Sequence, residues 1–275
     1  GLPGMLIVIA ATGMLRGLQD TKTPLYIALA GFSANVVLNA VLIYGLGMGL
    51  VGSALGTVIA QWAMALVFVG IVARQALKHH ASARPGLVGI NTAARSGGWL
   101  LIRTLSLRIA LIATVVVATS LGTKELATWH IVFTIFSLLA LALDSLAIAG
   151  QAIIGHDLGT GDLEEVRKVT SVLIRWSFLA GGFLAVFMGL AAPALPWMMT
   201  SDSQIRQALV WVLVLLAFTL PVSSYVFALD GILIGAGDGK YLAVTGVLNL
   251  GMYAPFLWLA STVEWVTSGV NLGGL

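Results

Sequence analysis

Long apolar runs, broken by short polar turns, dominate this chain. Between Lys22 and Arg74 there is no Asp, Glu, Lys or Arg. A bilayer-crossing helix needs roughly 20 apolar residues, so this run holds two. The pattern predicts a partial span over Leu2–Leu15 and full spans over Pro24–Tyr44, Val51–Ala73, Gly98–Leu121, Leu126–Ile154, Val169–Ala191, Ala208–Ile234 and Tyr241–Ser261. Another begins at Val266. The runs do not alternate polar and apolar residues, as barrel strands would. Lipid offers backbone groups no hydrogen-bond partners, so the expected fold is all-α: a polytopic helical bundle in a membrane. Glycines punctuate the turns at 45–52, 155–161 and 235–239, and Pro193 and Pro196 mark another. The longest polar piece, 74–97, carries Lys78, His79, His80, Arg84, Pro85 and Arg95. It reads as a linker between two bundles, with His79 and His80 as solvated residues.

Composition agrees. Apolar residues make up 59% of the 275 and charged residues 9%, against about 25% charged in soluble domains. The formal charge of +3 supplies no basic face for nucleic acid. The absence of cysteine excludes disulfides and thiolate metal sites. The chain opens on Gly1 inside an apolar run and closes on Leu275 inside another, which reads as a segment of a longer protein. Charge sets the orientation. Arg16, Lys22, Arg74, Lys78, Arg84, Arg95, Arg167, Lys168, Arg175 and Lys240 fall on one side; the other side has Lys124 and Arg206. Basic loops stay cytoplasmic, which places the larger set in the cytosol.

Two turns repeat. Gly13 to Lys22 and Gly231 to Lys240 both follow G-x-L-x-G-x-x-D-x-K, 218 residues apart. Glycine lets one helix end and Asp caps the next. Shared capping chemistry alone could produce the match. Six spans separate the copies, which instead suggests parallel halves about an axis along the membrane normal.

These residues resemble the multidrug and toxic compound extrusion family. The turn from Arg16 to Pro24, Asn35-x-x-x-Asn39 and the Gly52 to Thr57 segment are similar to that family's fourth to sixth helices. Ile102 to Leu107, Leu143 to Gln151, Ile154 to Asp162 and Leu229 to Asp238 resemble its DinF-type branch. The resemblance implies two pseudo-symmetric lobes of a twelve-helix transporter lacking its first helices. Residues 1–76 would end the amino-terminal lobe, 77–97 would be a cytoplasmic linker, and 98–275 would run from the seventh helix to the start of the twelfth. It implies an antiporter, not an enzyme, exporting organic, cationic or amphiphilic compounds against H⁺ or Na⁺ across the cytoplasmic membrane. Its partners would be the lipid bilayer, a small organic substrate and a coupling cation. It would act as a monomer and use no cofactor. The alternative is a lipid-linked precursor flippase of related architecture, which should show a strongly cationic cavity.

Candidate site residues follow. Asn35 and Asn39 share a helix face. Asn39 lies roughly 22 Å from the helix end near Pro24, and Thr57 roughly 10 Å from the end near Leu50, so their depths nearly coincide. The resemblance places Asn35 and Thr57 in a cation site; Asn39 departs, because several members carry Asp there. Hydrogen bonding between neighbouring helices is the competing reading. Arg103, Arg108, Asp144 and Asp230 are ionisable groups inside spans, where charges need partners or a watery cavity. Estimated depths pair Arg108 (~18 Å) with Asp144 (~16 Å), and Arg103 with Asp230 (both ~10 Å). Such pairs can be architectural rather than functional. His130 reads as a packed helix residue rather than a proton carrier. Pro221, followed by Ser223 and Ser224, is expected to kink its helix. The glycines of 155–161 lack a following Lys-Ser/Thr pair, which excludes a phosphate loop.

Overall fold

A computed structural model of the chain describes residues 1–78 and 87–262. The expected start of a span at Val266, and His79, His80, Arg84 and Pro85, lie outside the described residues. The described secondary structure is helical: α1 (Leu2–Gly17), α2 (Lys22–Ala40) continued by a π-helical turn (Val41–Gly45), α3 (Gly49–Lys78), α4 (Leu87–Leu121), α5 (Thr123–Thr160), α6 (Leu163–Ala191), α7 (Leu195–Met199), α8 (Ser203–Gly235) and α9 (Gly239–Thr262). Seven of these segments are long and apolar enough to cross a membrane, with mean hydropathy from 1.5 to 2.3.

Burial is inverted relative to a soluble protein. Leu50, Leu190 and Phe218 are exposed, whereas many buried positions are small: Gly52, Gly56, Ala60, Ala147, Gly150, Gly181, Ala217 and Gly231. Lipid solvates large apolar side chains, and small residues let helix backbones approach. Gly231 shows the effect. A Cβ there would sit 2.2 Å from the carbonyl oxygen of Ala147 on α5, so only glycine allows α5 and α8 to meet at this point.

Helices overrun the apolar spans. α5 has 38 residues, roughly 57 Å of helix, against a ~30 Å hydrocarbon core. Residues 87–97, expected in the linker, are the first turns of α4. Polar Asn91, Thr92 and Arg95 do not interrupt backbone hydrogen bonding; hydropathy marks where lipid ends, not where a helix ends.

The chain divides into two compact units, Gly1–Gly89 and from Ile90 onward. In the first, α3 packs against both α1 and α2. Its core joins Ala11, Leu15 and Phe68. In the second, α8 is central, packed on α5, α6, α7 and α9. Ile135, Leu139, Met188, Leu213 and Leu220 form its core. α8 runs through Pro221 as a continuous helix, and the Ser224 hydroxyl donates to the Ser177 carbonyl across the α6–α8 contact.

The repeated turns have the same hydrogen bonds. In the first, Gln19 N–H donates to Arg16 O and Asp20 N–H to Leu15 O, at 2.9 Å each. In the second, Gly237 N–H donates to Ile234 O and Asp238 N–H to Leu233 O, at 3.0 Å each. Each Asp then caps the next helix, accepting from Thr23 N–H at 3.0 Å and Tyr241 N–H at 3.1 Å. The hydroxyl and amide of Thr23 hold the Asp20 carboxyl below the ordinary carboxylate range. The turn needs a left-handed residue: Gly237 has φ 76° and Gln19 φ 62°. The α5–α6 turn uses the same device, with Gly161 at φ 81° and Asp162 accepting from Glu165 N–H.

Candidate functional site

Each unit gathers polar groups at membrane depth. In the first, three predicted residues meet. Asn39 Nδ2 donates to Asn35 Oδ1 at 3.3 Å, and Asn35 Nδ2 to Thr57 Oγ1 at 3.3 Å. The Thr57 hydroxyl donates to Ser53 O at 2.9 Å. The result is a directional chain from α2 into α3. It leaves one group over: Asn39 Oδ1 is buried and accepts no hydrogen bond among the described residues. That oxygen lies against Gly56, where a Cβ would come within 2.3 Å of it. The π-helical turn follows directly at Val41; such turns let a helix re-aim side chains. One free neutral oxygen is a poor cation site by itself, since hard cations take several oxygen ligands and favour carboxylates.

In the second unit, four helices line a half-open cavity of about 670 Å³. Each contributes a single face, with residues recurring every three or four positions as helical geometry requires. α4 supplies Arg103, Ser106, Leu107, Ala110, Leu111 and Thr114. α5 supplies Trp129, Phe133, Phe136, Asp144, Ile148 and Gln151. α8 adds Val226, Phe227, Asp230, Gly231 and Ile234, and α9 adds Gly246, Asn249, Leu250 and Tyr253. At one end Thr114 Oγ1 and Tyr253 OH share a hydrogen bond of 2.8 Å, tying α4 to α9. Aromatic side chains occupy that end of α5. Charged and amide side chains occupy the other.

The ionisable residues sort differently from their estimated depths. Arg103 and Asp230 form the expected ion pair. Arg108 and Asp144 do not pair. Arg108 is exposed, does not line the cavity, and takes part in no described ion pair. Equal depth is not contact: Arg108 lies five positions from Arg103 on α4, a turn of roughly 140° about the axis, so it points away from the cavity that Arg103 lines. His130, expected to be packed, is exposed.

Sequence reasoning missed the aromatic wall. Its signal was available: Trp129, Phe133, Phe136, Asp144 and Gln151 fall on one face of a single span. Ser106, Thr114, Asn249 and Tyr253 lacked such a signal, because isolated hydroxyl and amide side chains are common in membrane helices.

A family model, MatE, matches residues 101–259, which contain every residue lining this cavity. The chain belongs to the MatE family. Protein DETOXIFICATION 44, chloroplastic, of Arabidopsis thaliana is 28% identical over 273 residues, covering 99% of this chain and 52% of that protein. DNA damage-inducible protein F of Escherichia coli (strain K12) is 28% identical over 303 residues, covering 99% and 63%. The chain thus spans about half to two thirds of such relatives' length. A solved structure described as the outward-facing conformation of a multidrug resistance MATE family transporter aligns with TM-score 0.81 and 22% identity, covering 98% of this chain and 63% of that one. That likeness concerns the fold. MatE relatives are transporters, not enzymes, and the chain is a multi-pass membrane protein.

Proposed function

We propose that this chain is part of an ion-coupled antiporter that exports organic, cationic or amphiphilic compounds across the cytoplasmic membrane, with H⁺ or Na⁺ as the coupling ion. The observation that carries the reading is the second-unit cavity. Its volume of about 670 Å³ falls in the ~300–1,000 Å³ range of small-molecule sites. Its wall combines aromatic faces with carboxylates, chemistry that suits a lipophilic cation. A flippase for a pyrophosphate lipid needs excess positive charge; this cavity has one arginine against two aspartates.

In this reading the neutral Asn35–Asn39–Thr57 chain orders α2 against α3. A cation bound there would draw its negative charge from outside these two helices. The relatives support export: one is named Multidrug and toxin extrusion protein 1, of Xenopus tropicalis, 28% identical over 227 residues. The test is efflux from proteoliposomes holding the full-length protein and preloaded with ethidium. An inward H⁺ or Na⁺ gradient should accelerate ethidium loss, and collapsing the gradient should abolish the acceleration. Ethidium loss that ignores both gradients would overturn the reading.

A further inference from the structure

We propose that Asp144 is the carboxylate that meets a cationic ligand in the second-unit cavity, while Arg103 keeps Asp230 closed to it. The proposal rests on the cavity being the binding site of an organic cation, and adds which carboxylate does the binding.

Three charged side chains line the cavity: Arg103, Asp144 and Asp230. The Arg103 guanidinium ion-pairs with the Asp230 carboxylate. A ligand cation seeking Asp230 must displace a tethered competitor that is always charged. Asp144 makes no ion pair and no hydrogen bond among the described residues. It therefore carries the unbalanced charge of the cavity, and an uncompensated charge at membrane depth is unfavourable until a cation or proton answers it.

Placement supports the same assignment. Gly231 abuts Ala147, and Gly235 abuts Gln151. Both helices descend in the same direction, so this register sets Asp144 level with Ala228. Asp144 lies roughly 3 Å along the axis from Asp230, on the side of the aromatic wall. Phe227, another lining residue, is one position from that level. Phe136 stands eight residues away on the same face of α5, roughly 12 Å. An amphiphilic cation can thus place its charge at Asp144 and its apolar part against Phe227 and Phe136 without disturbing the Arg103–Asp230 pair. Aromatic faces attract cations, and the exposed Asp144 carboxylate is accessible to one.

The test uses tetraphenylphosphonium as probe, bound to the full-length protein in detergent and measured by equilibrium dialysis. Asp144→Asn should weaken binding about tenfold, because it removes the one carboxylate lining the cavity that no arginine pairs. Asp144→Glu keeps the charge and should retain binding. The decisive variant is Asp144→Asn with Arg103→Gln: removing the competitor exposes Asp230, and binding should recover. Thermal unfolding in the same detergent shows that each variant is folded. Probe binding by Asp144→Asn equal to that of the unaltered protein would overturn the assignment, as would no binding by the unaltered protein. Binding needs no ion gradient, so probe binding without gradient-driven efflux would sink the antiporter reading alone. Gradient-driven efflux with Asp144→Asn binding intact would sink only the role of Asp144.

Discussion

The polar groups that the first unit holds between α2 and α3 are uncharged, whereas the cavity of the second unit contains an arginine and two aspartates. Asn35, Asn39 and Thr57 join in a hydrogen-bonded chain that needs no counter-charge and leaves over one neutral oxygen, Asn39 Oδ1. Arg103, Asp144 and Asp230 cannot be satisfied that way, because three charges leave one unmatched. A neutral chain fits a tight helix contact. An odd charge requires a space that a partner can enter, and in the second unit the three charges line one. The difference shows what polar residues do in a membrane bundle: amides tie helices together, and ionisable groups accompany a volume that something else can enter.

The largest expected effect is on the ion pair. Arg103→Gln or Asp230→Asn alone should lower stability by about 2–3 kcal/mol, since each strands a charge. The double substitution should cost less than the two added. The same cycle on Arg108 and Asp144 should be additive within about 0.5 kcal/mol, as for residues without contact. Thermal unfolding of the full-length protein in detergent reads both cycles. Coupling in the second cycle, or none in the first, would break the comparison.

Next come two glycines with different obstacles. Gly231→Ala drives a methyl into the Ala147 carbonyl of α5, and backbone cannot yield without moving a helix, so a loss of about 1–3 kcal/mol is expected. Gly56→Ala meets the side-chain amide of Asn39, which can rotate away. Its loss should be smaller, and should come with rupture of the Asn39–Asn35 hydrogen bond. Unfolding midpoints rank the pair; a larger loss for Gly56→Ala would mean that the Asn39 amide is as rigid as backbone.

Within the first unit, Asn35→Ala removes both the donor to Thr57 and the acceptor for Asn39. A loss of about 1 kcal/mol is expected, typical of interhelical hydrogen bonds in membranes. A loss as large as that of Arg103→Gln would erase the distinction between the units. The smallest effect concerns the shared turn. Gly237→Ala introduces a side chain at φ 76°, with no atom near enough to clash, so only the left-handed backbone is penalised, by about 1 kcal/mol. Calorimetry on the two variants would show whether these last two losses are indeed of similar size.

The membrane class, the spans and the matching turns were legible because they depend on neighbours in sequence: hydropathy over roughly twenty residues, and a turn closed within six. The triad was legible for a similar reason. Asn35 and Asn39 are one helical turn apart, and the connection to α3 is short, which restricts where Thr57 can lie. Arg108 shows the limit. Depth along a helix can be counted from its end, but the direction a side chain faces depends on how the helix is rotated against its neighbours.

By itself, the sequence determined that this protein crosses a membrane as helices, that two of its turns share one design, and which residues carry charge at depth. Tertiary structure alone decided that Arg108 stands apart from Asp144, and that one face from each of α4, α5, α8 and α9 lines a cavity. The physical reason is rotation. Lipid accepts any apolar face, so the hydrophobic pattern leaves each helix free to turn about its axis. Contacts such as Gly231 against Ala147 fix that angle, and they exist only once both helices are in place.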